Sequence, residues 1–244
     1  MDRLDADAIA LPGLEVRVVE RCTSTNDLAL RASPPVLIAA EEQTAGRGRR
    51  GRRWHSAPGA GIAFSLGLQV KRPVRELAAL SLVAGVAVAR ALHALGLNVR
   101  LKWPNDLVVD GAKLGGILVE TRDRSYAVIG IGINCRPDPA LEAKVGRKLA
   151  YLKTSASRNE VIQRIGLALL EAVGEFQRSG FNGVRAEWEA MDAHAGQRLR
   201  VRLADGRVVS GMANGLAPDG SLQLITRTGR RAVRSGRVVS AGAA

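Results

Sequence analysis

Between the apolar run Val36–Ala40 and the alternating run Ile62–Val70 the chain carries EEQTAGRGRRGRRWHSAPGAG, with neither the 3.6 nor the 2.0 period of regular structure. A compact fold has few places for such a segment, because long irregular connections lie on the surface and mostly serve binding or stay disordered. Arg47, Arg49, Arg50, Arg52 and Arg53 crowd into it. Guanidinium forks match carboxylate and phosphate oxygens two at a time, and the glycines between them let a backbone approach a ligand closely. Arginine-glycine strings are more often RNA-contacting disordered segments, but those repeat, and GRGRRGRRW (Gly46 to Trp54) occurs once, between two strands.

The flanking sequence alternates element types. Leu14–Arg21 reads as a strand, and TSTNDLALRA starts a helix near Ser24 to Asn26 that stops before Pro34-Pro35. After Ile62–Val70, Val74–Leu95 reads as a long core helix ended by Gly96. Val99–Trp103 and Leu107–Val109 flank a Pro-Asn-Asp turn, Asp110-Gly111 signals a hairpin into Lys113–Glu120, and Tyr126–Asn134 is a further strand. Arg136–Lys153 reads as irregular, and Arg158–Arg178 has amphipathic spacing. From Gly196 onward short strands recur with turn residues every eight to ten positions, the pattern of a small barrel. The 244 residues therefore divide into an α+β domain over 1–194, a mixed sheet with helices, and a small all-β domain over 195–244.

Composition excludes several classes. With 46% hydrophobic and 24% charged residues the chain is neither disordered nor fibrous. No unbroken apolar run reaches membrane-spanning length, and the N-terminus carries three Asp where a signal peptide needs a basic start, so a cytoplasmic protein without a membrane partner is expected. Cys22 and Cys135, with His55, His93 and His194, show no metal-ligand spacing. The balance of 36 basic against 23 acidic residues, net +13, calls for anionic partners. Nine arginines between Arg198 and Arg237 read as a solvated sheet face rather than a nucleic-acid patch, since no aromatic is interleaved for base stacking.

Three further segments bear chemistry. In KWPNDLVVDGAKLGG, Lys102 and Lys113 flank a turn that presents Asn105 and Asp106; Asp106 could be an ion-pair member or could hold magnesium beside a phosphate. VIGIGIN (Val128 to Asn134) looks like a dinucleotide fingerprint but fails it, because Cys135 stands where the third glycine belongs. Ser24–Asp27 (STND) is explained locally as a helix cap, although cap hydroxyls at a pocket also bind polar ligands.

In this order and spacing, TSTND, the RGRRGR loop, KWPNDL, KLGGILVE and VIGIGIN resemble the catalytic domain of biotin protein ligases (biotin-[acetyl-CoA-carboxylase] ligases). The resemblance implies a fold of the class II aminoacyl-tRNA synthetase/biotin ligase type followed by an SH3-like barrel. About twenty residues precede the match, where regulatory members carry a DNA-binding domain; the short class, without operator binding, is expected. The implied reaction joins biotin and ATP to biotinyl-5′-AMP and pyrophosphate. Biotin then passes to a lysine of the biotin carboxyl carrier domain of biotin-dependent carboxylases.

By motif position, Lys113, Arg49, Arg47 and Lys102 are the implied catalytic groups. Biotin is implied to contact Ser24, Thr25, Asn26, Gln43, Gly46, Arg47, Gly48, Arg49, Trp54, Lys113, Gly116, Leu118, Gly130 and Ile133. ATP would meet Arg49, Arg52, Lys102, Asn105, Asp106, Lys113 and Asn134, with Asp106 as the Mg2+ ligand. The loop Gly46–Arg53 is expected to be mobile until anions arrive and then to close over the intermediate. The sequence departs from the family at His55, where an aromatic is common, between Cys135 and Ser155, which lacks an adenine-covering tryptophan, and at Arg237, where the usual ending is acidic. No catalytic role is therefore carried into the barrel, whose arginines would steer an acidic carrier domain. A lipoate or octanoate ligase shares fold and chemistry, but the trio Ser24, Thr25 and Gln43 favours biotin; a nucleic-acid-binding protein leaves the WPND turn unexplained. Pairing of two copies through a sheet edge is compatible with the sequence.

Overall fold

The computed structural model describes residues 2–55 and 58–242. In chain order it contains α1 (Ala6–Ile9), β1 (Glu15–Cys22), α2 (Thr25–Arg31), β2 (Val36–Gln43), β3 (Gly61–Gln69), α3 (Leu80–His93), β4 (Arg100–Lys102), β5 (Asp106–Val109), β6 (Ala112–Thr121), β7 (Tyr126–Asn134), α4 (Pro139–Val145), α5 (Arg158–Ser179) and α6 (Asn182–Ala190). Five strands follow: β8 (Arg198–Arg202), β9 (Val208–Leu216), β10 (Leu222–Thr226), β11 (Gly229–Val233) and β12 (Arg237–Gly242). The first seven strands form one sheet in the order β1-β2-β3-β7-β6-β5-β4, with β1 and β2 parallel and the remainder antiparallel. The last five form an antiparallel sheet in the order β11-β10-β9-β8-β12. A mixed sheet with helices followed by a small all-β unit is the α+β architecture expected from the sequence; the expected barrel is a five-stranded antiparallel sheet whose end strands, β11 and β12, do not pair among the described residues.

Period-2 alternation sends the two faces of the large sheet to different tasks. Phe64, Leu66, Ile129, Ile131 and Ile133 belong to the main core, together with Leu80, Val83 and Val86 of α3 and Ile165, Leu169 and Phe176 of α5. The opposite face is covered only near α2, where Ala29 packs with Val36, Ile38, Tyr126 and Val128. Beyond α2 that face is open.

The helix α3 is buried at every residue except Arg90 and His93, which is why its sequence is apolar all round. Val74–His93 is the one described segment long and apolar enough to cross a membrane, and the apolar 18-residue window within it is 78% buried in this fold. Its first turn, Val74–Ala79, is a 3-10 turn rather than the α-helix expected. α5 is capped by Ser157, whose hydroxyl accepts from the Glu160 amide at 3.1 Å. Its buried Arg158 donates to Glu41 at 2.8 Å, tying the helix to β2.

Two stretches expected to be irregular are ordered. Within Arg136–Lys153, Asp138 caps α4 by accepting from the Leu141 amide at 2.9 Å, Pro139 opens the helix, and Gly146 ends it at φ 66°. In the arginine loop Arg47 bridges Arg53, and the tip Arg49–Gly51 is a 3-10 turn with Arg50 at φ 58° and Gly51 at φ 70°. Backbone bonds from Gly48 to Arg52 O (2.7 Å) and from Trp54 to Gly46 O (2.9 Å) close it into a small hairpin.

Trp103 Nε1 donates to Gly220 O at 3.1 Å and the Leu216 amide donates to Glu189 Oε1 at 2.8 Å, fastening the small sheet to β4 and α6. On β8 the side chains of Leu199 and Val201 are buried while Arg198, Arg200 and Arg202 alternate outward, so the three arginines of this strand lie on its exposed face.

Candidate active site

On the open face, antiparallel register sets glycines and small residues side by side. Gly116 pairs with Gly132, Leu118 with Gly130, and Ser65 with Gly130. Without Cβ atoms these glycines admit other side chains onto the sheet: a Cβ on Gly130 would lie 2.2 Å from Asn26 Oδ1, and one on Gly132 would lie 2.4 Å from the Trp54 ring. The floor of the site is therefore a row of missing side chains. Over it opens a cleft of about 640 Å³.

One end of the cleft is a buried polar cluster. Ser24, Thr25 and Asn26, each 3% exposed, begin α2. Ser24 is the N-cap residue, but its hydroxyl makes no cap bond and has no hydrogen-bond partner among the described residues. The cap explanation for this motif thus accounts for its position and not for its side chain. Gln43 Oε1 accepts from the Thr25 amide (2.8 Å) and from Thr25 Oγ1 (3.2 Å). Ser65 Oγ lies 2.7 Å from Thr25 Oγ1 and 2.6 Å from Asn26 Oδ1, and Asn26 Nδ2 donates to Glu120 at 2.7 Å. Arg47 grips Asp27 through two bonds (2.7 and 2.8 Å) and reaches Glu120 at 3.2 Å. Asp27 is held below the usual carboxylate range chiefly by that hydrogen bond.

The other end is cationic. Lys113 Nζ is hydrogen-bonded to Asp106 Oδ1 across the β5–β6 hairpin and stands over Gly116, where a Cβ would approach it to 3.1 Å. Burial pushes the Lys113 ammonium below its ordinary pKa, with Asp106 opposing. Lys102 is lowered for the same first reason. Arg49 is lowered by burial and then by Arg50 and Arg52. Seven arginines and three lysines line the cleft against one carboxylate, Asp106, among the described residues. Such a site is under-neutralised and favours an anion of several charges.

Most sequence-expected positions converge here: Ser24, Thr25, Asn26, Gln43, Arg47, Gly48, Arg49, Arg52, Trp54, Lys102, Asn105, Asp106, Lys113, Gly116, Leu118, Gly130 and Asn134 all line the cleft. Two do not. Ile133, expected as an apolar wall, points to the opposite face of β7 and packs in the core, because strand alternation gives the open face to Gly130, Gly132 and Asn134. Gly46 lies behind the wall, where a Cβ would meet Trp54 O at 2.6 Å; it shapes the loop. The amides of Asn105 and Asn134 are spent on backbone carbonyls, Ile117 O at 2.7 Å and Lys113 O at 3.2 Å. Lys113 is also 5.8 Å from the Trp54 ring centroid, a cation–π distance.

Sequence reasoning missed Ser65, Glu120, Lys144, Arg147 and Arg237. Ser65 had a signal: a polar residue alternating with Phe64 and Leu66 marks a polar task on the face away from the core. Glu120 ends the KLGGILVE segment on β6 but was given no role; Lys144, Arg147 and Arg237 had no local signal, since α4, the turn after it and the small sheet reach the cleft only through tertiary packing.

The sequence of residues 18–138 matches the Biotin/lipoate A/B protein ligase family, and that of residues 194–239 matches the Biotin protein ligase C terminal domain. A biotin-[acetyl-CoA-carboxylase] ligase of Mycobacterium tuberculosis is 37% identical over 240 residues, covering 93% of this chain and 87% of that protein. The bifunctional ligase/repressor BirA of Bacillus subtilis is 34% identical over 223 residues, 87% of this chain and 68% of that one. The biotin protein ligase of Aquifex aeolicus, solved in complex with biotin and ATP, superposes with a TM-score of 0.79 at 26% identity, covering 91% of this chain and 96% of its own. The chain belongs to the biotin protein ligase family.

Proposed function

We propose that the chain activates biotin with ATP to biotinyl-5′-AMP and transfers the biotinyl group to a lysine of a biotin carboxyl carrier domain. The observation that carries this reading is the union, in one cleft, of a buried polar cluster at α2 with a cation cluster at Lys113. Asn26 sits over Gly130 and Lys113 over Gly116, so the two ends are about one two-residue strand step apart, roughly 7 Å, plus the width of a strand. A compact ring system with one polar edge and a carboxylate tail fits that spacing. The unpartnered Ser24 hydroxyl and the Thr25–Gln43 pair would bind the ureido group, with Leu118 and Trp54 as apolar walls.

Bringing a carboxylate against the α-phosphate sets like charges together, and Lys113 with Arg49 would neutralise both while charge moves to the leaving group. Arg47, held by Asp27 and Glu120, would orient the loop over the biotin end. Lys102, Asn105 and Asn134 border the nucleotide half. Asp106 fits a magnesium ligand: Oδ1 takes Lys113, while Oδ2 has no protein hydrogen bond among the described residues, and magnesium commonly uses one or two carboxylates plus substrate phosphates. The ion would supply charge neutralisation on the phosphates.

The domain boundary at 194/195 belongs to this reading. Asp192 still bridges Leu101 of the large sheet, and β8 begins at Arg198.

The test is exchange of labelled pyrophosphate into ATP, run with biotin, lipoate, octanoate or no acid. Exchange with biotin alone is expected. Exchange with lipoate or octanoate instead would move the substrate to the sister ligases, and no exchange with any acid would overturn the reading.

A further inference from the structure

Glu120 stands on the open face of β6, in line with Gly116 and Leu118, while Ile117 and Val119 pack toward the core. Among the described residues its side-chain contacts are all accepted bonds. Asn26 Nδ2 donates to Oε2 at 2.7 Å, and Arg47 Nη2 lies 3.2 Å from both carboxylate oxygens.

A side-chain amide has a donor end and an acceptor end, and its neighbours decide which way it points. A carboxylate that only accepts cannot face Asn26 Oδ1. Glu120 therefore turns the NH2 group of Asn26 toward itself, where Leu118 O lies 3.4 Å from the same nitrogen. Oδ1 is thereby aimed the other way, over Gly130 and 2.6 Å from Ser65 Oγ. That oxygen can only accept, so the single proton of Ser65 goes to it. Ser65 then meets Thr25 Oγ1, 2.7 Å away, as the acceptor. The Thr25 proton is directed to Ser65, with a longer branch to Gln43 Oε1 at 3.2 Å. What Thr25 Oγ1 has left for the cleft is a lone pair. Ser65 is fully buried and Asn26 and Thr25 are 3% exposed, so a reversed or missing bond in this chain is not repaired by solvent.

We propose that Glu120 is a positioning residue that sets the hydrogen-bond polarity of the biotin pocket: through Asn26 and Ser65 it makes Thr25 Oγ1 an acceptor for a ring N–H of the substrate. The inference deepens the ligase reading and rests on it. A ureido ring brings N–H donors to that acceptor. The dithiolane of lipoate and the alkyl tail of octanoate bring none, and would leave the lone pair buried and unpaired. Glu120 acts through the chain of bonds rather than by contact with substrate, so its effect falls on the acid and spares the nucleotide.

The experiment titrates biotin into the full chain by calorimetry for wild type, Glu120→Gln, Thr25→Val and the double variant, beside steady-state pyrophosphate exchange at varied biotin and ATP. Gln keeps the shape of Glu but offers a donor as well as an acceptor, so the Asn26 amide loses its fixed direction. Glu120→Gln should weaken biotin binding and raise the KM for biotin by at least about fivefold, the scale of one net hydrogen bond, with the KM for ATP and kcat within about twofold of wild type. In the Thr25→Val background, which has no acceptor to orient, the same change should cost under about twofold, the mark of coupled sites. Should Thr25→Val fail to fold, Ser65→Ala breaks the chain at its middle and serves as the second background. Biotin affinity of Glu120→Gln equal to wild type would overturn the proposal. An equal loss in both backgrounds would overturn it too, since Glu120 would then act by holding Arg47 and the loop. So would a rise in the KM for ATP matching that for biotin, which would mean general damage to the cleft. A wild-type chain that binds no biotin would instead bring down the ligase reading, and this inference with it.

Discussion

Asn26 and Gly130 fit together as a side chain and the absence of one: the amide oxygen of Asn26 lies where a Cβ on Gly130 would come within 2.2 Å. That contact seats the start of α2 on the open face of β7 and aligns Ser24 and Thr25 along the cleft. Gly130→Ala should push Asn26 off its bonds to Ser65 and Glu120. Overpacking of this kind costs about 1–3 kcal/mol. Biotin affinity, read by calorimetry, should fall about tenfold or more while circular dichroism shows a folded chain; unchanged affinity would remove Asn26 from the biotin end.

Lys113→Ala removes the cation over Gly116 and leaves Asp106 without its partner. Loss of one electrostatic stabiliser of a reacting phosphate is worth roughly 2–4 kcal/mol, so biotin-dependent pyrophosphate exchange should drop at least about tenfold. A variant that exchanges at the wild-type rate would take Lys113 out of the chemistry.

Arg49 opens the 3-10 turn at the tip of the arginine hairpin and is half-buried among like charges. Arg49→Ala should weaken closure of that hairpin over biotinyl-AMP. Enzyme loaded with labelled intermediate and passed through a desalting column should lose its label faster than wild type; equal retention would count against a covering role for the loop.

His194 lies where the large sheet hands over to the small one, and burial followed by the charge of Lys102 lowers its pKa to about 4. The unfolded chain therefore takes up a proton there between about 6.5 and 4 that the folded chain refuses, so this group removes stability as pH falls through that window. Its neighbour Asp192, raised to about 6 by burial, acts in the opposite sense, since the folded state holds its proton longer. The two largely cancel in wild type. His194→Gln leaves Asp192 alone, so thermal melts of the variant should gain on wild type as pH is lowered from 6.5 to 4. Parallel melting curves would mean His194 titrates normally in the fold.

Much of the fold was open to local reading because its elements obey local rules. Asp110-Gly111 turns the β5–β6 hairpin with φ of 50° and 75°, the left-handed geometry those two residues favour. Alternation marked β3, and all-round apolarity marked α3. The β7 strand was harder, since all nine of its residues are buried and hydropathy could not say which face met the core. Ile133, implied as a biotin contact by motif position, lies on the core face instead, while Gly130 and Gly132 carried the usable signal, being the positions where something else must fit. α4 was hidden by its length, although Asp138, Pro139 and Gly146 spelled its cap, start and stop.

The sequence by itself determined most of the strands, the core helix, the position of the arginine loop and the identity of the reactive groups, because those depend on periods, turns and side-chain chemistry within a few residues. Only the tertiary structure decided how the groups are paired. Arg47 finds Asp27 and Glu120, 20 and 73 positions away, Arg50 finds Ser235 across 185, and Arg237 enters a cleft built by another sheet. Charges exposed in sequence become partners only when packing removes water and fixes their distance, and nothing local to a residue encodes which distant surface will arrive beside it.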